Sequence, residues 1–167
     1  IRLNEFNVSQ YVDHRALDHP KSGIVVASRQ NQKMGGRCPW TLIGSLGKGI
    51  SYATDALQFH SFAQREGAVL PGLEKGLPGQ RLQHEHSMVC IQDEPVELEP
   101  GGKSQRGFFG WFEPDKPTAT GAEDVRFVDS ALALPEAAMR VADESGGARL
   151  SPGLFAKARL LETSELR

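Results

Sequence analysis

The chain has little of what would fix its chemistry at a glance. In 167 residues it carries two cysteines, Cys38 and Cys90. Two thiols make at most one bridge, which excludes a disulfide framework. Free thiols in a reducing compartment are the simpler expectation. Neither sign of charge dominates: 19 Lys and Arg stand against 21 Asp and Glu, for a formal net charge of −2. A basic face able to hold a polyphosphate backbone is not forced, so nucleic acid is not an expected partner. No run approaches the roughly 20 apolar residues of a membrane-spanning helix. No secretory-signal pattern opens the chain. It starts at Ile1 rather than Met and stops inside the helical-looking LLETSELR, so a fragment or processed product is expected.

What remains is an ordinary globular composition, 39% apolar and 24% charged, long enough for one domain or one domain with an appendage. The order of elements centres on Arg81 to Glu113, RLQHEHSMVCIQDEPVELEPGGKSQRGFFGWFE. It reads as a strand over Leu82 to Gln92, a short strand carrying Val96 and Leu98, a turn and an aromatic strand over Arg106 to Phe112. Pro100-Gly101 suits the two central positions of a type II turn, since proline presets the first φ and glycine accepts the positive second. Gly110 marks an expected bulge.

Before this stretch, more sheet is expected. Ile1 to Val12 alternates loosely, as one or two short strands. Asp13 to Ser22 is polar, holds Pro20 and reads as a loop. GIVVAS (Gly23 to Ser28) is a buried strand by its β-branched run. The polar RQNQKMGGR is its hairpin loop, and Trp40 to Leu46 returns. Ile50 to Phe62 reads as strand followed by irregular chain, with one helical turn as the alternative. Gln64 to Gln80, rich in glycine and proline, has no expected regular element. After Pro114 the pattern becomes helical. Thr120-Gly121-Ala122-Glu123 fits a capping box, and Val125, Val128, Ala131 and Leu132 recur at helical spacing up to Pro135. A second helix is read over Glu136 to Glu144. The expected division is a β-sandwich over residues 1–116 and a helical extension or linker over 117–167.

Several stretches together resemble one known family. They are YVDHRALDHP, VVASRQNQ with PWTLIGSL, YATDALQF, LPGQRLQHEHSM and QDEPVELEPGGKSQRGFFGWFEPDKP. They look like the β-sandwich ("supersandwich", galactose-mutarotase-like) regions of glycoside phosphorylases related to cellobiose phosphorylase. Cyclic β-1,2-glucan synthases and β-1,2-oligoglucan phosphorylases are the nearest in kind. The resemblance covers roughly Tyr11 to Leu134, and the later SPGLFAKARLLETSEL is similar to the linker that follows. It implies a mainly β fold, an antiparallel sandwich with a C-terminal helical extension. It also implies that catalysis belongs to a separate (α/α)-barrel domain, so no catalytic residue and no cofactor is expected here. The implied partners are that barrel, a β-glucan oligosaccharide and a second copy in a homodimer. The implied location is cytoplasmic, or at the inner membrane face through other domains of a parent protein.

Several residues carry binding chemistry, and each also has a structural role open to it. Trp40 and Trp111 are candidate platforms for the C–H faces of glucose, with Gln30 and Gln58 as amides for its hydroxyls and Asp55 as a polar anchor. Core packing for the rings and a turn or cap for Asp55 are the alternatives. His84 and His86 share a strand face, a spacing used by metal sites, but three matched ligands are normally needed. The carboxylates Asp93, Glu94, Glu97, Glu99, Glu113 and Asp115 read as a solvated face rather than a glycosidase pair. Three functions therefore compete. They are a non-catalytic domain of a glucan enzyme, an autonomous carbohydrate-binding module, and a small jelly-roll metalloenzyme using His84 and His86.

Overall fold

The computed structural model describes residues 10–61, 69–82 and 86–138. Within them the chain is mainly β, a curled mixed sheet of six strands with a few short helices. The β-branched run Gly23–Gln30 forms the central strand, β2, with Val25, Val26 and Ala27 fully buried. Along one edge it pairs antiparallel with β1 (Val12–His19), from Val12 opposite Gln30 to His19 opposite Gly23. Its other edge is shared. The C-terminal half pairs antiparallel with β3 (Trp40–Ser45), while Gly23 alone bridges Gly49 of β4 (Gly49–Asp55) in parallel. β5 (Ser87–Asp93) extends the β4 branch and β6 (Phe108–Glu113) extends the β3 branch.

Period-two alternation gives the sheet two faces. On one, Leu17, Val25, Ala27, Trp40 and Leu42 form a core with Val128, and Phe109 and Trp111 of β6 pack against it. Helix α3 is the third of three short helices, after α1 (Ala56–His60) and α2 (Pro71–Glu74). It runs over Arg126–Leu132 and covers this face, burying Val128 and Ala131. An irregular strap leads into it, and two arginines of the sheet, buried Arg29 and exposed Arg15, fasten the strap by its backbone. Arg29 donates to the carbonyls of Lys116 (2.8 Å) and Pro117 (2.6 Å), and Arg15 donates to that of Thr120 (2.6 Å). On the other face, β5 is brought back over β2 and β3.

Some expectations need correction. Val12–His19 is a strand, not a loop. Besides Leu17, its inward groups His14 and His19 are polar but hydrogen-bonded, and Pro20 falls just past its end. Residues 56–60 form a capped helix rather than irregular chain, and Pro71–Glu74 is a helical turn inside the stretch read as loop. Val96 and Leu98 stand half exposed in irregular chain with no strand assigned, because nothing pairs beside them among the described residues. Gly110 sits in regular register opposite Ile43, and the irregularities lie between β4 and β5 instead. Asp124, not Glu123, takes the backbone N–H of Gly121 (2.8 Å) at the helix start. The Thr120 hydroxyl accepts the Trp40 indole N–H instead. The turn at Pro100-Gly101 forms, with Gly101 at φ 80° and the Gly102 N–H donating to the Glu99 carbonyl (2.7 Å). Expectations for residues 1–9, 62–68, 83–85 and 139–167, including His84, lie outside the described residues.

Candidate functional site

The polar candidates Asp55 and Gln58 are brought together at the N-terminus of α1. Asp55 ends β4, is 5% exposed, and caps the helix: its carboxylate accepts the Leu57 N–H at 2.9 Å. The His86 N–H lies 3.3 Å from the same oxygen, and His86 O accepts from the Ala56 N–H. Gln58 reaches back, its Oε1 taking the N–H groups of Thr54 and Asp55 at 3.2 Å each. Its Nε2 donates to the Gln80 carbonyl at 3.0 Å. The pair thus ties three chain segments together. Most of its hydrogen-bonding capacity is spent on backbone, which is how a buried polar cluster avoids a desolvation penalty.

The indoles lie elsewhere, under α3. Trp40 is fully buried, its Nε1–H donates to Thr120 Oγ1 at 3.0 Å, and its ring lies 5.1 Å from that of Phe127. It presents no face to a solvent-borne sugar. Trp111 is half-buried. Its Nε1–H donates to Glu113 at 2.7 Å and its ring is 6.1 Å from Phe127. Gln30 closes β2 at the loop, its N–H bonded to the Pro39 carbonyl. Gln30 and Trp111 keep partial exposure, and no hydrogen bond or ring contact links either of them to the Asp55 cluster.

The carboxylates divide similarly. Asp93 accepts the N–H groups of Lys48 (2.9 Å) and Glu94 (3.1 Å) and lies 3.7 Å from Arg106. Asp115 accepts the Cys38 N–H at 2.9 Å. Glu94, Glu97 and Glu99 are exposed. Burial raises the Cys90 thiol above the ordinary thiol range, which makes it a poor nucleophile near neutral pH. Among the described residues no three His, Cys, Asp or Glu side chains converge as a metal requires.

One cluster escaped the sequence reading. His14 of β1 is 3% exposed, with Nδ1 2.8 Å from Ser28 Oγ on β2 and Nε2 2.8 Å from Ser87 Oγ on β5. It clasps the returning β5 to the centre of the sheet. Period two alone would have signalled only that His14 and Ala16 share a face.

The chain is 32% identical over 123 residues to a 1,2-beta-oligoglucan phosphorylase of Listeria innocua serovar 6a. The match takes in 73% of this chain but 11% of that protein, so the chain spans about a tenth of the relative's length. This supports a domain related to the glycoside phosphorylases. The SOGP N-terminal domain family matches residues 1–110, and the chain belongs to that family.

Proposed function

We propose that this chain is a non-catalytic β-sandwich domain, of the supersandwich type, within a larger β-glucan phosphorylase or cyclic β-1,2-glucan synthase. The observation that carries the reading is the match to a small fraction of a phosphorylase. The arrangement of polar groups supports it. Asp55, Gln58, His14 and Arg29 spend their hydrogen bonds on the fold itself. In this reading the domain packs on the catalytic barrel, self-associates, and shapes the path of a glucan. The parent protein works in the cytoplasm or, for a synthase, at the inner membrane face.

Of the proposed sugar contacts, Trp111 with Gln30 retains the partial exposure that stacking and hydroxyl recognition need. Two assays separate the roles. Phosphate-dependent cleavage of β-1,2-oligoglucans by the isolated chain is expected to be undetectable. Calorimetric titration with the same oligoglucans reports on contact, and heat lost on Trp111→Ala supports a glucan path across β6. Turnover by the chain itself overturns the reading.

A further inference from the structure

Side chains from three strands meet in one line. Ser87 opens β5 and is exposed. Its Oγ lies 2.8 Å from Nε2 of His14 on β1. The other ring nitrogen of His14, Nδ1, lies 2.8 Å from Ser28 Oγ on β2. An exposed hydroxyl thus touches a buried imidazole, and a second hydroxyl holds the ring from behind. Nucleophile, base and orienting group in that order are how a histidine-activated serine is built.

The fold fixes each member. His14 sits directly opposite Ser28 in the β1–β2 ladder, so the Nδ1 contact follows from register. Ser87 sits opposite Asp55 in the β4–β5 ladder. The residue before it is anchored at both backbone groups. The His86 N–H lies 3.3 Å from the Asp55 carboxylate, and the His86 carbonyl accepts the Ala56 N–H at 2.9 Å. All three side chains stand on strands, which hold a reacting group more closely than loops do.

A serine hydroxyl both donates and accepts. The ring can therefore carry its proton on Nδ1, donated to Ser28, and leave the Nε2 lone pair facing Ser87. We propose that Ser87 is an acyl-acceptor site, a hydroxyl that His14 activates toward small, activated carboxylic esters. Ser87 Oγ attacks the ester carbonyl carbon as its proton passes to His14 Nε2. The bond from that carbon to the leaving alcohol oxygen then breaks, and this oxygen takes the proton from Nε2. The products are one acyl-serine and one alcohol, with no further reactant. The chain is modified rather than turning substrate over, so the inference goes beyond the proposed function and does not depend on it.

Treatment of the whole chain with p-nitrophenyl acetate, read by peptide mass spectrometry, tests it. The expected result is an acetyl group on Ser87. Ser130 is the internal reference, since it is also exposed but donates its hydroxyl to the Arg126 carbonyl rather than to an imidazole. Ser87 is expected to acetylate about a hundredfold faster than Ser130. His14→Gln keeps a hydrogen-bonding side chain but no base, and should bring Ser87 down to the Ser130 rate. Ser28→Ala keeps both reacting groups and frees the ring, and should slow acetylation about tenfold or more. Circular dichroism checks that each variant is folded, and Ser28→Ala decides alone if His14→Gln is not. A Ser87 that acetylates no faster than Ser130 overturns the proposal. So does a Ser87 rate indifferent to these substitutions. Glucan titration and phosphorolysis report on the proposed function separately.

Discussion

Gly23 and Gly49 face each other where β2 meets β4, and each is held there by the absence of a side chain. A Cβ on Gly23 would overlap the Gly49 carbonyl oxygen, and one on Gly49 would overlap that of Ile24. The Gly49 N–H donates to the Ser22 carbonyl at 2.8 Å. This close approach lets one edge of β2 serve two strands, so the sheet branches and curls.

Gly23 also has φ 63°, in the left-handed region that side chains resist. Gly23→Ala is therefore expected to lose about 2 kcal/mol or more, through both backbone strain and overlap. Gly35→Ala is the control. Its φ is 58° but no atom lies within 4 Å of the added Cβ, so about 1 kcal/mol is expected. Urea denaturation of both variants checks the difference.

The His14 clasp gives a second expectation. His14→Ala leaves Ser28 without a partner for its hydroxyl and loosens β5, at a cost of about 2 kcal/mol. A double-mutant cycle with Ser87→Ala should return a coupling of about 1 kcal/mol, because the pair touches directly. Additive losses would mean that the contact contributes nothing of its own.

The strap is held at Trp40. Trp40→Phe keeps most of the ring but removes the donor to Thr120, which is 7% exposed. A loss of about 1–2 kcal/mol is expected. Thr120→Val should cost a similar amount, and the two together less than their sum, as thermal melts would show. Glucan titration heat should be the same for Trp40→Phe and the wild type.

Cys90 predicts a pH dependence. Burial raises its folded pKa above the unfolded value. In the interval between the two the native state binds more protons than the unfolded chain. Stability is therefore fully present below the unfolded thiol pKa and is lost as pH rises through the folded one. The loss above that point should be smaller in Cys90→Ala, measured by urea midpoints on either side of the thiol range. Alkylation of Cys90 at pH 8 should also be slower than that of a free thiol peptide.

The legible parts of the fold were those whose burial is apolar. GIVVAS and WTLIGS read as strands because continuous β-branched runs leave few alternatives, and Pro100-Gly101 because its turn chemistry is local. β1 was not legible. His14 and His19 are buried, at 3% and 4% exposure, but look polar in sequence. They are tolerable inside because partners supply hydrogen bonds, Ser28 and Ser87 for one, Asp129 and the Ser22 N–H for the other. Ser87 and Asp129 are distant in the chain, and hydropathy does not register them. Val96 and Leu98 failed in the opposite sense, alternating like a strand with no neighbour to pair with among the described residues. At the candidate site, the cap role of Asp55 was the alternative to a polar anchor, and it is the cap that the structure shows. Core packing was the expected fate of the Trp40 ring and the structure buries it, but the helix that covers it was not readable, because α3 lies far along the chain.

The support-domain reading meets its most direct check in a phosphorolysis assay of the isolated chain. β-1,2-Oligoglucans and inorganic phosphate are supplied, and glucose 1-phosphate is measured. The expected result is no product above the protein-free control, from a sample whose far-ultraviolet spectrum shows the folded sheet. Sustained, enzyme-proportional formation of glucose 1-phosphate would contradict it.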